Sequence, residues 1–447
     1  MDSYFKRQID HYLLEWKNEP DRMPLLVRGA RQVGKSSAVR QLGKTFDDFV
    51  EINLEKQPSL CNFFTEDIDV RQTCSNLGIA IGKPIVPGKT LLFIDEIQVC
   101  QPAIKALRYF KEDYPELHVV AAGSLLEFAL GELSTYGVGR IKSIYLYPFS
   151  FDEFLMAQGL ELQIEYKKDA VLKSNAVMAP LHSSLISQLK SFYLIGGMPA
   201  AVRQWIHSRD YAQCRQVHSS ILDSYQDDFS KYGKRVPPDL LRQVLRSVAL
   251  QSGDKFVFSH VSGGWPAIHV KECLNLLSTA GLIFPTKHTD GNGLPLGAEE
   301  NNKFIKYLFA DIGLMQTMLG MPATDILMAS DIDFVNKGEL SEVFAGLELI
   351  KYSNCFVRPS LHYWLNMGRN TNAEVDYLIV IDGKIIPIEV KANIQGKMQS
   401  LHVFMEKKQS DYGIRTSLEN VSAYESKGRT IKVCPLYALS ALCQFLK

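Results

Sequence analysis

The stretch Pro24-Leu25-Leu26-Val27-Arg28-Gly29-Ala30-Arg31-Gln32-Val33-Gly34-Lys35-Ser36-Ser37 decides the fold. It reads as a short apolar strand, a loop fitting G-x-x-x-x-G-K-[ST], and a helix continuing through Leu42. Glycines let backbone amides turn inward around phosphate oxygens, and the helix aims its N-terminus at the anion. In this pattern Lys35 reaches the β- and γ-phosphates of ATP, and the Ser36 hydroxyl ligates Mg²⁺. Gly29 through Ser37 are therefore the candidate ATP-binding residues.

Outward from that loop, an amphipathic helix is expected at Tyr4–Trp16, and further apolar runs lie at Phe49–Leu54, Thr90–Ile94 and Leu117–Ala122. Short buried strands with helical crossovers imply a parallel α/β sheet. The run Leu91–Ile94 ends in Asp95-Glu96. A carboxylate at the end of a neighbouring strand can hold the Mg²⁺ shell, and Glu96 can orient and deprotonate the attacking water. The run His118–Ala122 ends in Gly123-Ser124, where Ser124 contacts the γ-phosphate or water, or else only caps a helix.

Residues 151–230 lose strand character and read as helices Phe151–Gln158, Leu181–Tyr193 and Asp210–Phe229, broken at Gly196-Gly197-Met198-Pro199. Beyond them come helices Pro238–Gln251 and Ile268–Ala280, the second ended by Gly281, then a strand from Leu282 and a Gly-rich turn at 290–295. Helix, helix, strand–turn–strand is the order of a winged helix. The last part has a helix at Leu340–Tyr352 and strands at Leu361–Asn366, Ala373–Val380 and Lys384–Val390. The expected organisation is a P-loop α/β core at 1–150, a helical lid at 151–232, a winged helix at 233–325 and a C-terminal α/β domain at 326–447.

The segments LVRGARQVGKSS, LLFIDEIQ, VVAAGSLLEF, GRIKSIYLYPFSFDEFL and FYLIGGMPAAV, in this order, resemble a prokaryotic branch of the AAA+ ATPase superfamily, the archaeal-type ATPases. Members of that branch carry a C-terminal restriction-endonuclease-like domain of the PD-(D/E)xK class. The resemblance runs over nearly the whole chain and is densest in 25–155 and 340–395. It implies that Lys35 and Ser36 are Walker A contacts, Asp95 and Glu96 the Walker B pair, and Ser124 the sensor-1 residue, where Asn is more usual. Arg140 matches the family's Gly-Arg, as an arginine neutralising γ-phosphate charge or as a structural partner of Asp152 or Glu153. Residues 194–199 match a family Gly-Gly-x-Pro loop whose role does not follow from the residues.

In the C-terminal part, Asp382-Gly383 separates two apolar runs and signals a two-residue hairpin. Pairing residue 381 with 384 puts Asp376 opposite Glu389, and Glu374 opposite Lys391 on the same face. Carboxylates facing across a ladder repel unless a cation lies between them. A second divalent metal at Asp376 and Glu389 would supply it, with Lys391 stabilising phosphate or activating water. This is the D…E-x-K arrangement of the recognised nuclease class, except that Val375 stands where its name has Pro. Glu342 matches that fold's additional acid. The alternative is a salt-bridged hairpin face with no metal.

With 49 Lys+Arg against 49 Asp+Glu the formal net charge is zero, and residues 1–150, 151–330 and 331–447 carry −1, 0 and +1. Binding of DNA by bulk charge is thereby excluded. A local patch, Lys231, Lys234, Arg235, Arg242 and Arg246, could touch phosphates, although Lys271 and Glu272 alone charge the expected reading helix. Packing as a protein–protein element explains it equally well. The chain opens with a charged amphipathic segment unlike a signal peptide, and its apolar runs are too short for a bilayer. Eight cysteines without a CxxC pair argue against zinc and disulfides, so the cytoplasm is the expected compartment.

Three readings follow: an ATP-hydrolysing machine controlling a DNA-facing nuclease-like module, an ATP-regulated metal-dependent DNA nuclease, and a non-enzymatic ATP-binding scaffold. Glu96 favours hydrolysis over the scaffold. No second arginine of the sensor-2 type is evident, which leaves the protein open between a homo-oligomer and a monomer.

Overall fold

The computed structural model describes residues 4–65, 69–132, 139–232, 236–322, 338–367, 372–391 and 398–442. They form two compact units, one of residues 1–147 with Cys355–Arg358, the other of Pro148–Asn354 and Pro359 onward.

The first unit is a five-stranded parallel sheet with helices between its strands. Its strands are β1 (Leu25–Arg28), β2 (Asp48–Asn53), β3 (Thr90–Asp95), β4 (His118–Ala122) and β5 (Lys142–Tyr145), in the order β2-β3-β4-β1-β5. All of β3 and β4 is buried, which is why both are continuous apolar runs rather than alternating ones. Helices α1 (Ile9–Lys17), α2 (Lys35–Gly43), α3 (Val70–Ile81), α4 (Gln101–Asp113) and α5 (Leu126–Glu132) accompany the sheet. Each helix that buries a face does so at helical spacing; α4 buries Ala103, Ile104, Ala106, Leu107 and Phe110. The expected first helix is shorter than its amphipathic pattern, beginning at Ile9 rather than Tyr4. The strand that ends in Asp95 is not next to the P-loop strand, because β4 lies between them. Ser124, at the end of β4, consequently lies between the two motifs.

The second unit contains α6 (Phe151–Met156), α7 (Glu161–Leu172), α8 (Ala179–Ile195), α9 (Pro199–Ser208), α10 (Tyr211–Tyr232), α11 (Pro238–Leu250), α12 (Ala267–Thr279) and α13 (Ile312–Leu319). Its eight-stranded mixed sheet takes β6 (Ile283–Thr289), β7 (Glu300–Phe309), β8 (Leu361–Met367), β9 (Asn372–Ile381) and β10 (Lys384–Val390). The remaining strands are β11 (Tyr412–Ser417), β12 (Ser422–Ser426) and β13 (Arg429–Pro435), and the order is β12-β13-β11-β10-β9-β8-β6-β7. Helices α14 (Gly338–Tyr352) and α15 (Gln399–Lys408) accompany it. The strand–turn–strand expected of a wing is present as β6 and β7, but β6 also pairs with β8. These two strands are thus the end of the eight-stranded sheet rather than a free hairpin. Helices α6 and α8 share a core with the helix at Gly338–Tyr352, in which the Phe192 and Phe344 rings meet edgewise at 6.0 Å and the Phe151 amide donates to Glu348 at 3.0 Å.

Candidate functional site

The phosphate loop owes its shape to three left-handed residues, Gly29 (φ +137°), Gln32 (φ +66°) and Gly34 (φ +99°), the last capping α2. Gly29 has a second reason to be glycine, since a Cβ there would lie 2.1 Å from the Leu146 carbonyl oxygen. Lys35 is buried and its Nζ donates to the carbonyls of Gly29 and Ala30 at 2.9 and 2.8 Å. Desolvation pushes its pKa down to about 8, partly opposed by Glu96 and Asp95. A buried ammonium held only by carbonyls of an anion-shaped loop fits a phosphate ligand. Val33 is fully buried and its carbonyl accepts from Arg7 at 3.1 Å, a brace from outside the motif. Ala30 is buried, Arg31 half-buried and Ser37 exposed.

Ser36 Oγ donates to Asp95, 3.2 and 3.1 Å from its two oxygens, and Asn53 Nδ2 reaches the same carboxylate at 3.3 Å. Burial first, then the charge of Glu96, raises the Asp95 pKa. Hydroxyl and carboxylate side by side are the oxygen donors that Mg²⁺ takes in such sites, so these residues fit that ion. Glu96 sits in the left-handed region (φ +53°), and its Oε2 accepts from Gln98 Nε2 at 2.7 Å and from Ser124 N and Oγ at 3.1 and 3.2 Å. Ser124 therefore addresses the carboxylate. Arg140 is half-exposed and pairs with Glu112 at 3.2 Å, while Asp152 is taken by Lys167 and Lys168 at 2.5 and 2.7 Å. Arg140 and Asp152 thus each have an ion-pair partner within their own unit. Gln98, Asn53 and Arg7 were not evident from the motifs, though Gln98 stands two residues beyond Glu96, at a spacing that lets it turn back.

The hairpin forms in the expected register, Ile381 with Lys384 through Tyr377 with Ile388, across a turn with Asp382 and Gly383 both at positive φ. The acids gather differently from the expectation. Glu342, Glu374 and Asp376 bring carboxylate oxygens within 4.8 Å of one another, the kind of group that can hold a metal. Glu374 is paired with Lys306, which also contacts Glu342 at 2.7 Å, whereas Lys391 pairs with Glu389 at 2.6 Å. Asp376 accepts from the Val390 amide at 2.7 Å, and Glu389 Oε2 is buried without a hydrogen-bond partner. Burial first, then neighbouring Asp376, raises the pKa of both Glu342 and Glu389. For Lys306, burial opposes the charge, but Glu342, Asp376 and Glu374 outweigh it and raise its pKa. Lys306 was missed although its strand held a hint, a lysine alternating with Phe304 and Leu308.

Of the basic patch, Lys231 pairs with Asp228 at 2.8 Å, Arg242 with Asp239 at 2.5 Å, and Arg246 donates to the Met318 carbonyl at 3.1 Å. Lys234 and Arg235 lie outside the described residues. Within α12, Ile268 is exposed. The Gly196-Gly197 loop has a structural occupation: the Gly197 amide donates to Asp311 at 2.6 Å, and the Phe149 amide donates to the Gly197 carbonyl at 2.6 Å. Among the described residues, no helix is long and apolar enough to cross a membrane.

Residues 21–155 match the model of the AAA domain, and residues 186–325 and 337–439 match two domains of unknown function, DUF8612 and DUF4143. An uncharacterized protein of Haemophilus influenzae is 25% identical over 389 residues, spanning 83% of this chain and 82% of that protein. Among solved structures, a Walker-type ATPase of Pyrococcus abyssi is 16% identical, covering 71% of this chain and 96% of that one at a TM-score of 0.45. The Aeropyrum pernix ORC1 protein in complex with DNA is 11% identical, covering 71% and 94% at a TM-score of 0.29.

Proposed function

From an AAA domain at residues 21–155 as the premise, we propose that the protein binds and hydrolyses ATP and couples nucleotide state to its C-terminal acidic module. The observation that carries this is Ser36 Oγ set 3.1–3.2 Å from both oxygens of Asp95, directly beside the buried Lys35. Lys35 would hold the β- and γ-phosphates, and the Gly29–Ser37 amides the rest of the chain of phosphates. Ser36 and Asp95 would hold Mg²⁺. ATP, when bound with that ion, supplies a phosphoryl group open to attack by water. Glu96 accepts the proton of that water on its carboxylate, with Ser124 and Gln98 fixing its orientation. Arg140, which pairs with Glu112 at 3.2 Å, would have to leave that pair to neutralise γ-phosphate charge, in cis or from a neighbouring molecule.

An assay of phosphate release with and without a panel of DNAs tests the proposal. Lys35→Ala is expected to abolish release through lost binding, and Glu96→Gln to bind ATP yet release phosphate slowly. No release by the wild-type protein under any condition would reduce it to a nucleotide-binding scaffold.

A second reading, a metal-dependent DNA nuclease regulated by ATP, is favoured by the element order α14-β8-β9-β10-α15-β11, in which three antiparallel strands are followed by a crossover to a parallel one. The acids Glu342, Asp376 and Glu389 with Lys391 are what the PD-(D/E)xK resemblance calls for. Glu374 joins this group by position, and the acids are the donors a hard divalent cation takes. Mg²⁺- or Mn²⁺-dependent cleavage of plasmid and single-stranded DNA, lost in Asp376→Ala and Lys391→Ala, is the expected result. Cleavage unchanged by both substitutions would remove this reading.

A further inference from the structure

The group of carboxylates in the second unit already has a cation in it. Lys306 Nζ contacts Glu342 at 2.7 Å and is ion-paired with Glu374, two of the three residues whose oxygens converge within 4.8 Å. The lysine is 3% exposed, and its ammonium lies 5.0 Å from the Tyr363 ring centre. It comes from β7, beyond both β8 and β6 in the sheet order. A buried ammonium so placed costs several kcal/mol in desolvation unless carboxylates surround it. One atom of the same neighbourhood is left over. Glu389 is 3% exposed, its Oε1 pairs with Lys391, and its Oε2 has no hydrogen-bond partner. The hairpin register, continued one pair past Tyr377 and Ile388, carries Glu389 to the position facing Asp376. An unsatisfied, buried carboxylate oxygen beside an acid cluster points to a missing cation.

We propose that Lys306 is an internal occupant of the divalent-cation position formed by Glu342, Glu374 and Asp376, and that a metal ion enters by displacing it. This rests on the reading of these acids as a metal site. The ammonium and the ion require the same oxygens, so one excludes the other. β7 is the last strand of the eight-stranded sheet, with β6 as its strand neighbour there and a single bridge, Lys255 with Lys306, on its outer side. Lys306 therefore makes metal loading depend on the placement of residues 300–309, which fall in a different matched domain from Glu342, Glu374 and Asp376.

Mn²⁺ binding to the full-length, nucleotide-free protein tests this, read by titration calorimetry and by loss of the free Mn²⁺ electron-spin signal. The expected result is that Lys306→Met binds Mn²⁺ at least tenfold more tightly than wild type, and that adding Asp376→Asn removes the gain. Equal affinities in wild type and Lys306→Met, both sensitive to Asp376→Asn, would overturn the role of Lys306 and leave the metal site standing. Absence of any Asp376-dependent binding in either protein would overturn both. If Lys306→Met does not accumulate in folded form, the double variant Lys306→Met/Glu342→Gln, with one buried charge fewer, decides by the same comparison against Glu342→Gln alone.

Discussion

Gln98 Nε2 stands 2.7 Å from Glu96 Oε2, so the residue two positions beyond the acidic pair turns back to hold its second member. With Ser124 donating twice to the same oxygen, Oε2 is occupied by three donors, and on the proposed reading Oε1 is the oxygen that addresses water. A hydrogen bond to a charged group contributes about 1.5–3 kcal/mol. Gln98→Ala is therefore expected to lower kcat for ATP hydrolysis by about tenfold, at 1.4 kcal/mol per decade, with KM for ATP nearly unchanged. The same effect should follow from the opposite side. A Cβ on Gly123 would lie 1.8 Å from Gln98 Oε1, so Gly123→Ala displaces the amide without touching Glu96. Steady-state kinetics on both variants check this; a raised KM with kcat intact in both would refute it.

Gly29 offers a test of the loop itself. Its φ of +137° is one that side chains rarely adopt, and its absent Cβ leaves room for the Leu146 carbonyl. Gly29→Ala meets a backbone atom, which cannot rotate away. The expected cost is about 2–4 kcal/mol of stability, with loss of ATP binding, measured by denaturant unfolding and nucleotide titration. Gly139→Ala is the control, since nothing lies within 4 Å of a Cβ there and only the positive φ is at stake.

What was legible depended on how local the determinant was. The P-loop, the Asp95-Glu96 strand end and the Asp382-Gly383 hairpin each write their geometry within a few residues, and the structure has the hairpin in the expected register. The insertion of β4 between β1 and β3 was not legible, because two fully apolar strands carry no information about which neighbour they take. The partner of Glu374 was not legible either. Strand alternation predicts what faces a residue across a ladder, but Lys306 reaches Glu374 from three strands away in the sheet order. The pairing of β6 with β8 was hidden for the same reason, since it joins residues about 75 apart in sequence.

His118 gives the first unit a pH dependence. Its Nε2 meets the Lys17 carbonyl at 3.1 Å, its Nδ1 is buried without a hydrogen-bond partner, and the rings of Phe46 and Trp16 pack edgewise on it. Desolvation, then nearby Arg22, lowers its pKa to about 4. The unfolded chain binds the proton at the ordinary value near 6.5, so it gains more than the folded state as the pH falls. Stability is complete above about 6.5 and declines down to about 4, by roughly 2–3 kcal/mol in all. His118→Gln, which retains a donor for the Lys17 carbonyl, is expected to flatten this slope. Urea unfolding at pH 7 and 5 measures it; equal slopes in wild type and variant would count against His118.

Asp311 is the residue through which the Gly196-Gly197 loop acquires a reason. Its carboxylate is 1% exposed and bridges two chain segments, capping α13 through the Leu314 amide at 3.0 Å and binding the Gly197 amide at 2.6 Å. The closeness is possible because Gly196 lacks a side chain; its Cβ would lie 2.2 Å from Asp311 Oδ1. A helix cap contributes about 1 kcal/mol and a buried amide left without its acceptor costs about 1–3 kcal/mol. Asp311→Ala is therefore expected to destabilise the second unit by about 2–4 kcal/mol, and Gly196→Ala by a comparable amount. The two substitutions attack one contact from its two ends, so their combination should cost clearly less than the sum of the single losses. Denaturant unfolding of the two single variants and the double variant completes the cycle. Strict additivity would mean that the glycine pair serves something other than the approach of Asp311.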